Sequence, residues 1–475
     1  MVNFSLVYLG IFSFLISVLS FFNIIYTYYF NLYLSLDSYF YSLILSFSFS
    51  LFVLIKIKFK LTQNLDRFKI TIYQKILTVI AGYIIMPIII SVPFYFSIHN
   101  ISFLDSYFEA ISGFTSTGFT IFNNIKHIDQ SLILWRSSSQ WIGGLYFLFS
   151  IILLIDIFDN NLKKSLTNFL SFNTSEIIKQ SFKIFILYTT LTFVIFMTLS
   201  FFNIRSFDAF NLSMTLIASG GFLPVNNLSS ILNSNLKEVI FSFTMLISFF
   251  SIFLSYNLAF IKKKNINFFQ EDIYLLIYFL SLLIIFYLFF NVDYNFSLIF
   301  FSLVSSISNI GFSVDKTPSN LSFIFLILTI IGGSFFSTSS GLRFLRLYLL
   351  FKFSINDVIS HVKPKNVFNK KYFFSNISYE KIEIERYFLS LIIFIITLLL
   401  LNFLLTISGI SFENSFKLSI LTLMNTVNSS IYGIKDFNFE NLQILTKYYL
   451  IIFMIIGRVE MLTLLIILKK FLFKN

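Results

Sequence analysis

The sequence predicts an all-α polytopic membrane protein of about ten spans with a fourfold internal repeat. Three observations carry that prediction. The chain has 475 residues, of which 57% are apolar and only 12% charged, whereas an ordinary soluble domain carries about 25% charged residues. Its mean hydropathy is +0.85, more apolar surface than a soluble chain of this size can bury even when split into domains. The apolar residues also fall into long runs near the roughly 20 residues that cross a bilayer, and the pattern of long and short runs recurs along the chain.

Two long runs open the chain, at about 4–30 and 38–56. The first lacks a basic start and an A-x-A cleavage site, so it reads as a retained helix. Further long runs lie near 76–97, 139–158, 182–202, 238–261, 273–291, 321–351, 386–408 and 447–470. Between alternate pairs sit shorter runs, 103–116, 207–219, 297–309 and 413–427. They are too short to cross a bilayer and end in Gly- or Ser-rich turns, which suits re-entrant segments whose loops face protein or water.

Basic residues cluster on one side of this map: Lys56 to Lys75, Lys163-Lys164 with Lys179 and Lys183, Lys262-Lys263-Lys264, Arg343 to Arg386, and Lys469, Lys470 and Lys474. The other connections carry isolated cations such as Lys126, Arg205 and Lys316. The positive-inside rule then places both termini in the cytoplasm and accounts for the formal charge of +12 without nucleic acid. With no Cys, disulfides, thiolate metal sites and cysteine nucleophiles are excluded. His99, His127 and His361 are far apart and belong to loops rather than a metal cluster. No G-x-x-x-x-G-K-[ST] loop supports ATP hydrolysis, and no acid–base or nucleophile constellation converges, so the chain does not read as an enzyme. Aspartates 156 and 159 lie near a cytoplasmic end rather than in mid-membrane.

The repeat becomes explicit when Gly118-Phe119 is aligned with Gly221-Phe222 and Gly311-Phe312. Asp105 then falls on Asp208, each at the start of a short helix, and a fourth copy is expected in Asn428-Ser-Ser-Ile-Tyr-Gly433. The chain divides into two N-terminal helices (1–60) and repeats at 61–165, 166–265, 266–360 and 361–475. Each repeat reads long helix, short helix, turn, long helix, so four of them mimic a tetramer about a central axis, potassium-channel architecture in a single polypeptide. Turns of this kind point backbone carbonyls at an axis, where they can replace the hydration shell of a potassium ion. Glycine suits the crowded point where four loops meet. A lone Gly-Phe pair would be ordinary helix packing; three at matched positions are not.

Three segments resemble the Trk/Ktr/HKT superfamily of potassium transporters, specifically its TrkH branch: Phe108-Glu-Ala-Ile-Ser-Gly-Phe-Thr-Ser-Thr-Gly-Phe119, Trp135-Arg-Ser-Ser-Ser-Gln-Trp-Ile-Gly-Gly144 and Gly457-Arg-Val-Glu-Met-Leu-Thr463. The likeness covers nearly the whole chain, and the two extra N-terminal helices resemble the TrkH branch in particular. It implies a K+ filter made by Gly118, Gly221 and Gly311 with the carbonyls of Ser116, Thr117, Ser219, Gly220, Asn309 and Ile310. Gly118 favours potassium, because sodium-preferring relatives carry serine there. Counting back from Arg458 puts Ser429 at the fourth glycine position, with Ser430 the alternative and Asn428 beside them; this departure puts the sharpness of K+ over Na+ in doubt.

Gly332-Gly333-Ser334-Phe-Phe-Ser337-Thr338-Ser339-Ser340-Gly341 interrupts the third inner helix with small polar residues, which must face protein or a water cavity. By resemblance it is the intramembrane gating loop, stiffened here by Phe335 and Phe336; a Ser/Gly packing face is the alternative. Arg458, inside the last span next to Glu460, is a functional candidate because an intramembrane charge is costly. The resemblance sets it under the filter against the gate, and a structural Arg458–Glu460 pair is the alternative. Asp105 and Glu109 could draw cations to the outer mouth or stabilise a helix N-terminus. The basic stretch from Arg343 to Arg386 offers a docking surface for a regulator or for anionic lipid.

The sequence thus predicts a potassium uptake subunit of the bacterial inner membrane that conducts through a gated pore, with K+ the transported ion and no cofactor in the chain. The resemblance adds a cytoplasmic nucleotide-binding regulator of the TrkA type and a homodimer. The alternatives are a symporter coupled to H+ or Na+, for which mid-membrane carboxylates are scarce, and a less selective K+/Na+ transporter.

Overall fold

The computed structural model describes residues 3–61, 72–158, 177–254, 269–290, 295–314, 319–362, 372–374, 377–379, 381–434, 437–459 and 463. Helices α1 (Asn3–Tyr29) and α2 (Tyr33–Leu61) form an N-terminal hairpin. A stripe of buried small polar residues joins them: Ser13 Oγ donates to Ser46 O at 2.7 Å, and Ser20 and Ser42 meet at 3.1 Å. A Cβ on Gly10 would lie 2.7 Å from Val53 Cγ1. Small residues at such seams let membrane helices approach closely.

Four units of one plan follow. The first is α3 (Ile72–Tyr95), α4 (Phe103–Phe114) and α5 (Gln130–Phe158); the second is α6 (Ile177–Phe201), α7 (Ser206–Ile217) and α8 (Asn235–Phe249). The third is α9 (Phe269–Phe290), α10 (Phe296–Ile307), α11 (Ser322–Leu328) and α12 (Phe344–Val362); the fourth is α13 (Lys381–Ile407), α14 (Phe412–Leu423) and α15 (Ile444–Arg458). The short helices α4, α7, α10 and α14 each have 12 residues. At about 1.5 Å per residue each spans roughly 18 Å, little more than half a hydrocarbon core.

Seven of the described helices, α1, α2, α3, α5, α6, α9 and α13, are long and apolar enough to span a bilayer. The outward side of α9 carries Leu276, Ile277, Leu280, Ile284 and Ile285, all exposed, a surface that suits lipid and not water. Helix α5 is almost wholly buried within the protein. The three remaining runs that the sequence offers as spans, 238–261, 321–351 and 447–470, are inner helices that break. Helix α8 stops at extended Phe250, α11 gives way at Ile331 to a crossing loop, and α15 stops at extended Val459.

Two short strand pairs complete the described structure. Ile331–Gly332 (β1) and Leu342–Arg343 (β2) pair in parallel, closing the neck of the loop in the third inner helix. Tyr372–Phe374 (β3) and Ile377–Tyr379 (β4) form an antiparallel pair after α12.

Candidate functional site

The four short helices end alike. Each C-cap is right-handed (Thr115, Ala218, Ser308, Met424), and the next residue has positive φ: Ser116 at 57°, Ser219 at 54°, Asn309 at 59° and Asn425 at 48°. Left-handed backbone is unusual for residues with a side chain and marks positions held by their surroundings. One residue later the amide turns back onto its own helix, Thr117 N to Ser112 O (2.9 Å), Gly220 N to Thr215 O (2.8 Å) and Thr426 N to Leu421 O (2.9 Å).

That common offset of five residues fixes the register of the fourth turn, and it differs from the sequence expectation. Thr426 stands where Thr117 and Gly220 stand, so Val427 takes the place of Gly118 and Gly221. Asn428 follows the turn, Ser429 is an extended cap, and Ser430–Tyr432 form a 3₁₀ turn. All four connections carry a 3₁₀ turn, at Ile125–His127, Leu228–Ser230, Ser319–Leu321 and Ser430–Tyr432, so Ser429 and Ser430 belong to the connection that follows the fourth turn.

The four turns converge. A Cβ on Gly118 would lie 2.5 Å from Gly221 Cα, one on Gly221 2.3 Å from Val427 Cβ, and one on Gly311 2.8 Å from Val427 O. The amide side of each turn is used by its helix. Among the described hydrogen bonds, none falls on the carbonyls of Ser116, Thr117, Ser219, Gly220, Asn309, Ile310, Asn425 or Thr426. Those oxygens are the acceptors the assembly leaves over.

A ring of side-chain bonds ties turn to turn. Asn309 Nδ2 donates to Thr329 O at the end of α11 (2.7 Å) and to Thr426 Oγ1 (3.3 Å). Asn425 repeats the move one unit on, donating to Met454 O of α15 (2.9 Å) and to Thr117 Oγ1 (3.0 Å). Ser219 Oγ donates to Ser308 O at 2.5 Å. The link from the first turn to the second is Arg458, whose Nη2 donates to Ser116 Oγ (3.2 Å) and to Ala218 O (3.3 Å). Its Nη1 donates to Ser340 Oγ in the crossing loop. The guanidinium is 2% exposed and lies 4.0 Å over the Phe147 ring. Arg458 thus joins two turns and the loop; Glu460 lies outside the described residues.

The loop from Gly332 to Gly341 runs buried beneath the turns. Thr338 Oγ1 donates to Ile217 O, the last residue of α7 (2.7 Å). Gly333 N donates to Ser339 Oγ (2.9 Å), Ser337 Oγ to Ser334 O (2.7 Å), and Arg343 Nη1 to the carbonyls of Ser334 and Ser339 (3.0 and 3.1 Å). Gly341 has φ +86° with Gly332 packed against it, which only glycine fits. Phe335 and Phe336 are buried against each other and Phe253.

Glu109 does not face an outer mouth. It is fully buried: Arg136 Nε donates to it at 2.8 Å, Ile121 N at 3.0 Å and Thr120 Oγ1 at 3.1 Å. Arg136 lies 4.3 Å over the Phe222 ring, so this pair braces the segments just beyond the first two turns. Asp105 is a helix-start residue bonded to Ser102, with Lys447 Nζ donating to it at 2.5 Å. In α14, Lys417 beside exposed Glu413 (2.5 Å) holds that carboxyl below its ordinary range. His99 and His127 are exposed, and no group of three His, Cys, Asp or Glu among the described residues is placed to hold a metal. The side chains of Asp156 and His361, all of Asp159, and most of the basic connections lie outside the described residues.

Comparison with known proteins bears on this architecture. The TrkH family profile, described as a cation transport protein, matches residues 289–473. The potassium transporter TrkH of Vibrio parahaemolyticus superposes with a TM-score of 0.83 over 98% of each chain at 19% identity. The chain has the fold of that TrkH transporter. Among curated relatives, the Trk system potassium uptake protein TrkH of Halomonas elongata is 24% identical over 76% of this chain and 78% of its own. The Escherichia coli K12 TrkH is also 24% identical, over 79% and 81%. An uncharacterized cation transporter of Methanocaldococcus jannaschii is 27% identical over 60% of each chain. Val427, Thr426, Asn425 and the Glu109–Arg136 pair escaped the sequence reading. Matching Asn309-Ile-Gly311 to Asn425-Thr-Val427 was the signal that could have found the first three.

Proposed function

We propose that this chain is a potassium uptake subunit that conducts K+ through a gated, carbonyl-lined pore. The observation that carries the reading is the convergence of four like turns whose carbonyls are left without hydrogen-bond donors; such oxygens can replace the hydration shell of a dehydrated cation. The ion path is lined by Ser116, Thr117 and Gly118, by Ser219, Gly220 and Gly221, by Asn309, Ile310 and Gly311, and by Asn425, Thr426 and Val427. The loop Gly332–Gly341 with Arg458 forms the gate, a polypeptide plug under the filter strapped by a fixed positive charge. The Trk system names of the relatives support K+ as cargo. The protein resides in the inner membrane with both termini cytoplasmic, works as a homodimer, and is regulated by a nucleotide-binding subunit of the TrkA type docking on the Arg343 to Arg386 connection.

The test is passive flux into proteoliposomes with K+, Rb+, Na+ or Li+ as the only permeant cation. K+ and Rb+ flux that disappears in Gly118→Asp is expected. Absence of K+ flux without a proton or sodium gradient would replace the pore by a coupled symporter.

A further inference from the structure

The crossing loop is held by a second broken helix. Helix α8 ends at Phe249, and Phe250 is extended. The freed ends of the break pair with the loop backbone: Ser334 N donates to Phe249 O (3.0 Å), Ser339 N to Ser248 O (3.2 Å), and Ile252 N to Phe336 O (3.1 Å). Two interrupted inner helices therefore satisfy each other, as backbone inside a membrane protein must.

Two adjacent carboxylates in the first turn of α9 complete this junction. Glu271 Oε1 accepts from Phe335 N in the loop at 2.8 Å, and Asp272 Oδ1 accepts from Ser251 N at the α8 break at 3.1 Å. Both residues are buried, 8% and 6% exposed. A buried backbone amide left without an acceptor costs about 1–3 kcal/mol, so each carboxyl oxygen satisfies a donor that the break would otherwise strand. Buried acids in a span face the protein interior and mark functional positions by default.

We infer that Glu271 and Asp272 are positioning residues that latch the gating loop shut by gripping Phe335 in the loop and Ser251 in the α8 break from one helix turn. Being neighbours on a single turn, they are released together by any movement of the α9 start. That start directly follows the connection bearing Lys262, Lys263 and Lys264. The inference rests on the gating role proposed above for the loop.

The test uses the full chain in proteoliposomes, with Ser337→Cys as a reporter that is the only thiol, since the native chain has no Cys. Glu271→Gln and Asp272→Asn are expected to raise basal Rb+ flux several-fold. Weakening either grip is expected to raise the loop's open population, and so the rate of Ser337→Cys modification, about tenfold. The K+/Na+ permeability ratio should stay unchanged, because the turns are untouched. Glu271→Asp, which keeps a carboxyl but shortens the reach, should fall between wild type and Glu271→Gln and serves if the amide variant misfolds. Unchanged modification and flux, with or without a lower melting temperature, would make the pair merely structural and overturn the inference. If wild type carries no K+ at all, the proposed function fails, while the thiol rate still decides the latch.

Discussion

Val427 meets glycines on the facing turns but carries a β-branched side chain. The backbone permits this because φ is positive at Gly118 and Gly311 but not at Gly221 or Val427, so only the first pair demands glycine on conformational grounds. The consequence is steric: the valine stands against Gly221, leaving the convergence asymmetric. Val427→Gly is expected to increase the K+/Na+ permeability ratio several-fold, read from bi-ionic flux. Gly221→Val should abolish flux, since its Cβ has no space. Arg458 is the other residue whose contacts set its role. Arg458→Ala frees the loop from the first two turns and should raise basal Rb+ flux, whereas Arg458→Lys keeps the charge but loses the planar fork that reaches three partners. Flux that falls in Arg458→Ala would assign the arginine to support of the turns and not to closure.

At the scale of elements, each short helix hands its C-terminal end to a turn, and each inner helix supports that turn differently. Helix α5 passes unbroken, with Gly143 against Phe114 O and Gly144 against Ala218, and Gly457 of α15 likewise sits against Leu423 O. Any larger side chain there would push the inner helix off the turn. The Glu109–Arg136 pair fastens α4 to α5, and breaking a buried pair by removing one partner costs about 3–5 kcal/mol. Glu109→Gln should therefore lower the melting temperature in detergent markedly, and the double variant Glu109→Gln/Arg136→Gln should recover part of the loss. A double variant no better than the single would show that the hydrogen bonds to Ile121 and Thr120, and not the paired charges, hold this region.

At the scale of the molecule, a fourfold ring is made from one chain, so its four turns are free to differ. The ring is closed by asparagine in two junctions (Asn309, Asn425), serine in one (Ser219) and arginine in the last. Arg458 lies at the junction where the chain's last repeat meets its first two, so the turns and the crossing loop are joined there and not by symmetry. The topology gives a direct prediction. Single cysteines at Asn31 and Asn124 should react with an impermeant reagent from outside the cell and one at Lys69 only after permeabilisation. The opposite labelling would invert the orientation drawn from the basic connections.

The membrane class, the four short helices and the crossing loop are legible in the order of residues alone. These follow from run length, glycine punctuation and the cost of polar groups in a bilayer, all local quantities. The sequence also located Gly118, Gly221, Gly311 and Arg458, because a repeated glycine turn and a lone arginine in an apolar run stand out wherever they fold. The fourth turn needed the folded chain: in the sequence only the match of Asn425 to Asn309 hints at it, and its register comes from the Thr426 amide returning to Leu421 O. The same holds for Glu109, which beside Asp105 reads as an exposed acidic turn until Arg136, 27 residues away, arrives to neutralise it. Glu271 and Asp272 are likewise an unremarked acidic pair at a helix start. Their meaning lies in two backbone amides, 64 and 21 residues distant, that packing brings to them.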